Sequence, residues 1–257
     1  PIDAQLMISV QNINKFFGSQ QVLSDISVDF EEGKTNLIIG ASGSGKTVLL
    51  KAIAGLHKTD SGTIFYDKTD FTGLDEKQRK AIHKQMGMLF QGAALFDFAT
   101  ARENVRFPLD FFTDWSLARK NERVDFCLNR VNLGDIGDKY PSELSGGMQK
   151  RVGIARAIAM NPRYLFCDEP NSGLDPQTAI VIDRLISELT HEYKMTTIIN
   201  THDMNSVMAI GEKVVFLYQG KKEWEGSKDD ILQANNKALN DFVFASEMAR
   251  LLKEPKF

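Results

Sequence analysis

The chain has 257 residues, 42% hydrophobic and 25% charged, which suits one large α/β domain or one domain carrying an inserted lobe. Its net charge of -3 supplies no global basic field for nucleic acid or anionic lipid, and no stretch approaches the roughly 18 consecutive apolar residues of a membrane span. Two cysteines, Cys127 and Cys167, cannot build a disulfide framework, and no signal peptide is visible at the start, so the expectation is a reduced, cytosolic domain.

Taken in chain order, residues 7–13 and 26–30 alternate as strands, and residues 34–39 run as an apolar strand into a glycine-rich loop. Residues 46–54 read as a helix closed by Gly55, 63–66 as a short strand, 75–84 as a charged helix and 86–90 as an apolar run of strand length. From Gly92 the character changes: Phe96, Phe98, Phe107, Phe111, Phe112 and Trp115 crowd one segment, and helical patterns follow at 117–131 and 147–159. The continuous apolar run 164–167 suits a strand buried on both faces of a sheet. Residues 176–190 form a helix with Pro176 in its first turn, where the missing N–H is harmless. Strands are expected at 196–199, 213–218 and 221–225, then a mostly helical end at 231–253. Strand and helix alternate as in a parallel-sheet α/β core, interrupted by a helical block at 92–161.

Gly40, Ala41, Ser42, Gly43, Ser44, Gly45, Lys46 and Thr47 match G-x-x-x-x-G-K-[ST] in full, between a strand and a helix. Glycines let the backbone wrap closely, so successive N–H groups face phosphate oxygens, and the helix N-terminus favours an anion. Lys46 is placed for the β- and γ-phosphates and the Thr47 hydroxyl for Mg²⁺; Val48 closes the expected nucleotide-binding set. Downstream, the apolar strand at 164–167 ends in Asp168 and Glu169. A carboxylate at the end of a buried parallel strand points into the ligand crevice. Asp168 suits Mg²⁺, and Glu169 suits a general base or water-positioning group. A solvated acidic turn before Pro170 is the competing reading, and the upstream phosphate loop argues against it.

Leu144, Ser145, Gly146, Gly147, Met148 and Gln149 spell LSGGMQ ahead of a helix rich in alanine and basic residues. With these motifs the chain resembles the nucleotide-binding subunits of ABC transporters over essentially its whole length. That resemblance implies a P-loop α/β fold with a mostly parallel core sheet, an N-terminal antiparallel β subdomain and an inserted helical subdomain. It also divides the single domain into a core with β subdomain at about 1–91 and 162–230, a helical subdomain at about 92–161 and a C-terminal segment at about 231–257. It implies ATP and Mg²⁺ as ligands, and two copies closing on two ATP molecules. The six signature residues and Asp175 of the Ser172–Asp175 D-loop would then contact the nucleotide or interface of the other copy. Gln91 matches the Q-loop glutamine that senses Mg²⁺ and the attacking water, and His202 matches the switch histidine. Phe17 is the expected adenine-stacking ring, with Phe16 as its rival and one of the two packing inward.

A finer resemblance is to the ATPase of Mla/MCE-type bacterial lipid transport systems. It rests on the segment Met88–Phe96, on Glu103-Asn104-Val105 followed by Phe107-Pro108-Leu109 in the next helix, and on Pro141–Arg151 with Met148 in the signature. This family implies a permease dimer, a periplasmic MCE lipid-binding protein, in some members a STAS-domain subunit, and a place on the cytoplasmic face of the inner membrane. The alternatives are an importer ATPase for amino acids or another small solute, a non-transport ABC ATPase, and a catalytically dead regulatory subunit. Intact Lys46, Asp168, Glu169 and His202 argue against the last. Most of the Phe96–Trp115 rings are expected in the core of the helical lobe, the sharper reading being a groove for a coupling helix. Phe242, Val243, Ala245, Ser246, Ala249 and Leu252 are expected to pack on their own domain, with a contact to the second copy as the alternative.

Overall fold

The computed structural model describes residues 7–245. One sheet is antiparallel, with β1 (Met7–Phe17), β2 (Gln20–Glu31), β4 (Ser61–Tyr66) and β5 (Thr69–Asp70) in the order β2-β1-β4-β5. The second holds β3 (Thr35–Ile39), β6 (Met86–Leu89), β7 (Tyr164–Asp168), β8 (Thr196–Thr201), β9 (Lys213–Tyr218) and β10 (Lys221–Gly226) in the order β10-β9-β3-β8-β7-β6. Only the β9–β10 hairpin is antiparallel there. The expected mixed α/β architecture is therefore present. β2 starts earlier than its apolar run suggests, because its polar first residues still pair with β1.

Period-two geometry explains how one sheet supports two cores. Leu37, Ile39, Leu165, Cys167, Ile199, Val214 and Phe216 point to one face, where the helices pack. Ile38, Tyr164, Phe166, Ile198, Val215 and Leu217 point to the other, against α1 (Lys46–Ile53) and the buried side of the antiparallel sheet. β3, β7 and β8 are buried along their whole length, as parallel strands covered on both faces must be. β2 instead alternates, burying Leu23, Ile26, Val28 and Phe30.

α2 (Glu76–His83) starts at a capping box between Asp75 and Gln78. Between β6 and β7 lie α3 (Ala101–Phe112), α4 (Leu117–Arg130) and α5 (Gly146–Ile158). α3 is capped by a reciprocal Thr100–Glu103 box. Its Asn104 is fully buried: Nδ2 donates to the carbonyls of Phe96, Ala99 and Thr100 while Oδ1 accepts from the Phe96 N–H. Asn104 thus pins the loop that leaves β6. Asn104→Ala is expected to destabilise the fold by about 2–4 kcal/mol, since several buried polar groups lose their partner together. A denaturant midpoint within experimental error of wild type would refute this.

The aromatic segment departs from the expected core. Phe98, Phe107 and Phe111 are exposed, at 83%, 48% and 67%, and Phe96, Phe112 and Trp115 are only half-buried. The interior of the lobe is aliphatic instead, built from Val105, Leu109, Val124, Leu128, Val131 and Val152. Branched side chains interdigitate between closely crossing helices, and the rings are left on the outside, touching one another from Phe96 to Phe112.

After β7 come α6 (Pro176–Tyr193), α7 (Met204–Ile210) and α8 (Lys237–Val243). α7 has no counterpart in the sequence reading, because seven residues are too few to show a 3.6-residue period. The helical end is also broken: a 3₁₀ turn at Ile231–Gln233 precedes α8. Val243 is buried and the Phe242 ring lies tilted against Phe216 at 5.5 Å, so these two pack on their own domain, whereas Ala245 is exposed. Ser246, Ala249 and Leu252 lie outside the described residues.

Candidate active site

β3, β6, β7 and β8 are parallel neighbours, so their carboxyl ends open on one edge of the sheet. The phosphate loop leaves β3, Gln91 follows β6, Asp168 and Glu169 end β7, and Thr201 and His202 end β8. A cavity of about 1320 Å³ opens there, lined among others by Ala41, Ser42, Glu169, Ser172, Gly173 and His202.

The loop wraps tightly. Gly40 has φ +149°, and a Cβ on it would lie 2.3 Å from the Leu217 carbonyl oxygen, which no other residue tolerates. Lys46 Nζ is buried and donates to the carbonyls of Gly40 and Ala41 at 2.9 and 3.1 Å. Burial lowers its pKa, opposed by the nearby Glu169 and Asp168 charges. The buried Ser44 hydroxyl has no hydrogen-bond partner among the described residues, as a phosphate-binding donor would. Val48, the last residue of the expected nucleotide-binding set, is half-buried, and its side chain packs against the core shared with the antiparallel sheet.

Thr47 Oγ1 donates to Asp168 Oδ1 at 3.1 Å, and Asn200 Nδ2 donates to both, at 2.6 Å to Asp168 and 3.2 Å to Thr47. Asn200 was not anticipated; its signal is a lone amide directly after Ile198 and Ile199 near the end of β8. The Thr47 and Asp168 oxygens suit Mg²⁺, which takes hard oxygen ligands at 2.0–2.1 Å in an octahedron whose adjacent oxygens lie about 3 Å apart.

Glu169 has φ +46°, a left-handed conformation rare for a non-glycine residue. Its N–H donates to the Asn200 carbonyl at 3.0 Å, which holds the turn. The turn swings the carboxylate toward β8 and β6: Oε1 lies 3.1 Å from His202 Nδ1 and Oε2 3.5 Å from Gln91 Nε2. Two separately predicted groups, His202 and Gln91, thus meet at the predicted Glu169 carboxylate. Glu169 is mostly enclosed while His202 is largely exposed, so the histidine can meet a nucleotide from the solvent side. Lys150 of α5 is a further unanticipated neighbour. It is buried, Nζ has no hydrogen-bond partner among the described residues, and burial lowers its pKa against the Cys167, Asp168 and Glu169 charges.

The signature motif divides by exposure. Ser145 is the N-cap of α5, its Oγ accepting from the Met148 N–H at 3.3 Å, and it is exposed with Gly146. Leu144 is buried, and Gly147 is closed in by Thr178, whose methyl would lie 2.6 Å from an added Cβ. The six expected cross-dimer positions therefore differ in exposure, with Ser145 and Gly146 the most open. Met148 packs on its own core, and Gln149 Nε2 donates to the carbonyls of Pro141 and Leu144. Helical geometry turns those positions inward. Asp175 is likewise engaged as the N-cap of α6, accepting from the N–H groups of Gln177 and Thr178 at 3.0 Å. No signature residue lines the cavity beside the phosphate loop.

Phe16 and Phe17 are 40% and 47% exposed, so neither packs inward as expected of one of them. They end β1, an inner strand of the antiparallel sheet, where it pairs with the first residues of β2. Phe17 meets His57 edge-on at 5.7 Å with Lys15 over its ring at 5.2 Å, and as an exposed ring it suits stacking.

Residues 23–172 match the ABC transporter family model. The chain is 37% identical over 237 residues to the methionine import ATP-binding protein MetN of Clostridioides difficile, covering 92% of this chain and 74% of that protein. It is 38% identical over 226 residues to a probable sulfate/thiosulfate import ATP-binding protein CysA of Chlorella vulgaris, covering 88% and 93%. Two dimeric structures of the ATP-binding cassette MJ0796, one in a post-hydrolysis state with ADP and phosphate, superpose with TM-scores of 0.78 and 0.79 at 32% identity. Each covers 86% of this chain and 98% of that one.

Proposed function

Because this chain belongs to the ABC transporter family, as an ATP-hydrolysing, ATP-binding subunit, we propose that it works as a homodimer driving a membrane import system. The observation that carries the reading is the convergence of Lys46, Asp168, Glu169, Gln91 and His202 on one sheet edge. Lys46 and the loop amides hold the phosphates; Glu169 orients a water and accepts its proton, with His202 and Gln91 fixing the carboxylate. Thr47 and Asp168, with Gln91 nearby, would hold Mg²⁺, which neutralises charge on the phosphate oxygens. Ser145 and Gly146, exposed on α5 but outside the cavity, supply the γ-phosphate contact to the second copy.

The division into a core with β subdomain, a helical subdomain at 92–161 and a C-terminal segment gives the motor its moving part. A groove of about 450 Å³ between β6, α3 and α5, lined by Met86, Met88, Phe96, Phe107, Phe112 and Met160, suits an apolar helix of the permease. The exposed rings extend that surface. A small-solute importer is supported by the named methionine and sulfate import relatives. A phospholipid system with MCE and STAS-domain partners is the second reading, supported by the Met88–Phe96 segment and by Met148. Either places the subunit at the cytoplasmic face of a membrane; no helix among the described residues is itself long and apolar enough to cross one. Purification of the tagged chain from detergent-solubilised membranes tests this. A permease with a solute-binding protein supports import, a permease with an MCE protein supports the lipid reading, and recovery without any permease overturns both.

A further inference from the structure

Behind the catalytic edge lies a buried polar cluster that the hydrolytic mechanism leaves unused. Asp183, on α6, is 3% exposed, and Ser206, on α7, is 1% exposed. Asn171, two residues past Glu169, reaches between them: its Nδ2 donates to Asp183 Oδ1 at 2.7 Å and to Ser206 Oγ at 3.0 Å. The Ser206 hydroxyl also acts on Asp183, favouring its ionised form. Asn171 Oδ1 is buried with no partner among the described residues. Three elements are joined here: the D-loop that carries Ser172 to Asp175, the helix capped by Asp175, and the helix that begins directly after His202.

We propose that Asp183, Asn171 and Ser206 form a clasp that holds the D-loop and the switch segment in one arrangement, making Asp183 a positioning residue for ATP hydrolysis. The inference rests on the ATPase reading of the site. Its physical basis is that the carboxylate and the amide have two hydrogen-bonded states. The ionised carboxylate accepts from the Asn171 amide nitrogen, as observed. A protonated Asp183 has an O–H to donate, and the orphaned Asn171 Oδ1 is the acceptor that an amide rotation would bring to it. Changing state therefore takes the Asn171 Nδ2 donor away from Ser206 and loosens the tie between α7 and the residue that leads into the D-loop.

The surroundings place that change near neutral pH. Burial pushes the Asp183 carboxyl up to about 6, against the hydrogen bonds from Ser206 and Asn171, and the Asp203 charge at the start of α7 pushes the same way as burial. Cys167 of β7 is the other titratable neighbour, its thiol pushed up by burial and by the Asp183 charge among others. Because the folded value is raised, the stability that neutral Asp183 contributes is complete below the unfolded carboxylate range and is lost as pH rises through about 6. The ionised state used at neutral pH is thus held against a cost, as a positioning device would be.

The test is steady-state ATPase activity of the full chain in its assembled complex, from pH 5.5 to 8, for wild type, Asp183→Asn and Ser206→Ala. Wild-type kcat should rise through a step near pH 6. Asp183→Asn should remove that step and run at pH 7.5 about 10-fold slower, less than the ~100-fold that a 1 Å misplacement can produce. Its KM for ATP should stay within about 2-fold, because the phosphate loop is untouched. Its melting temperature at pH 7.5 should not fall, which separates positioning from loss of fold. Ser206→Ala, which removes a hydrogen bond to the ionised carboxylate, should move the step to higher pH. An Asp183→Asn profile equal to wild type overturns the clasp and leaves the ATPase reading standing. Should Asp183→Asn fail to fold, an unmoved step in Ser206→Ala overturns it. A wild-type complex that hydrolyses no ATP overturns both.

Discussion

Glu169→Gln should lower turnover by about 10²–10⁴-fold while leaving ATP binding intact, the usual range for losing a positioned general base. The substitution keeps the side-chain volume and the left-handed turn at φ +46° that aims it. What disappears is the one group facing His202 and Gln91 that can accept a proton. The phosphate grip, through Lys46, the loop amides and Thr47, lies on other elements and remains. ATP would bind and persist, and the closed pair of subunits should accumulate. Single-turnover hydrolysis together with size-exclusion chromatography in ATP measures both effects. Wild-type turnover in this variant would remove Glu169 from the base role.

Ser145→Arg should abolish turnover in the assembled complex and spare nucleotide binding by the isolated chain. Ser145 is exposed at the start of α5 and does not line the cavity beside its own phosphate loop, so its loss should spare the phosphate grip of the same copy. The arginine replaces a compact hydroxyl with a long side chain where the second copy is proposed to bring its γ-phosphate. It also removes an N-cap and sets a positive charge at a helix N-terminus, together worth about 1–2 kcal/mol of fold stability. That loss is measurable by thermal melting and too small to unfold an ordinary domain. Undiminished ATPase activity of the complex would refute the cross-dimer arrangement.

Much of the site was legible because its chemistry is local. The phosphate loop needs glycines and a lysine at fixed spacing between a strand and a helix, and that whole requirement lies within eight residues. Asp168 and Glu169 were readable because an apolar run ending in two acids describes a buried strand opening on a crevice. Asn200, Lys150 and the Asn171–Asp183–Ser206 cluster were not readable. Each is one polar residue in an otherwise ordinary element, and what surrounds it comes from other elements, for Asn200 up to 153 residues away in sequence. The aromatic segment misled for a related reason: composition shows that rings are present but not which side of a helix meets the core. Phe98, Phe107 and Phe111 face outward because aliphatic positions on α3, α4 and α5 already fill the interior.

By itself, then, the sequence determined the phosphate loop, the pair of acids that ends β7, the signature and the α/β class, because each depends on residue type at short spacing or on a period of two or 3.6. Only the tertiary structure decided that Glu169 meets His202 and Gln91, that Met148 and Gln149 turn inward while Ser145 stays exposed, and that Asp183 is buried beside the D-loop. Those outcomes depend on strand order and helix rotation, which follow from packing the whole chain rather than from any one segment of it.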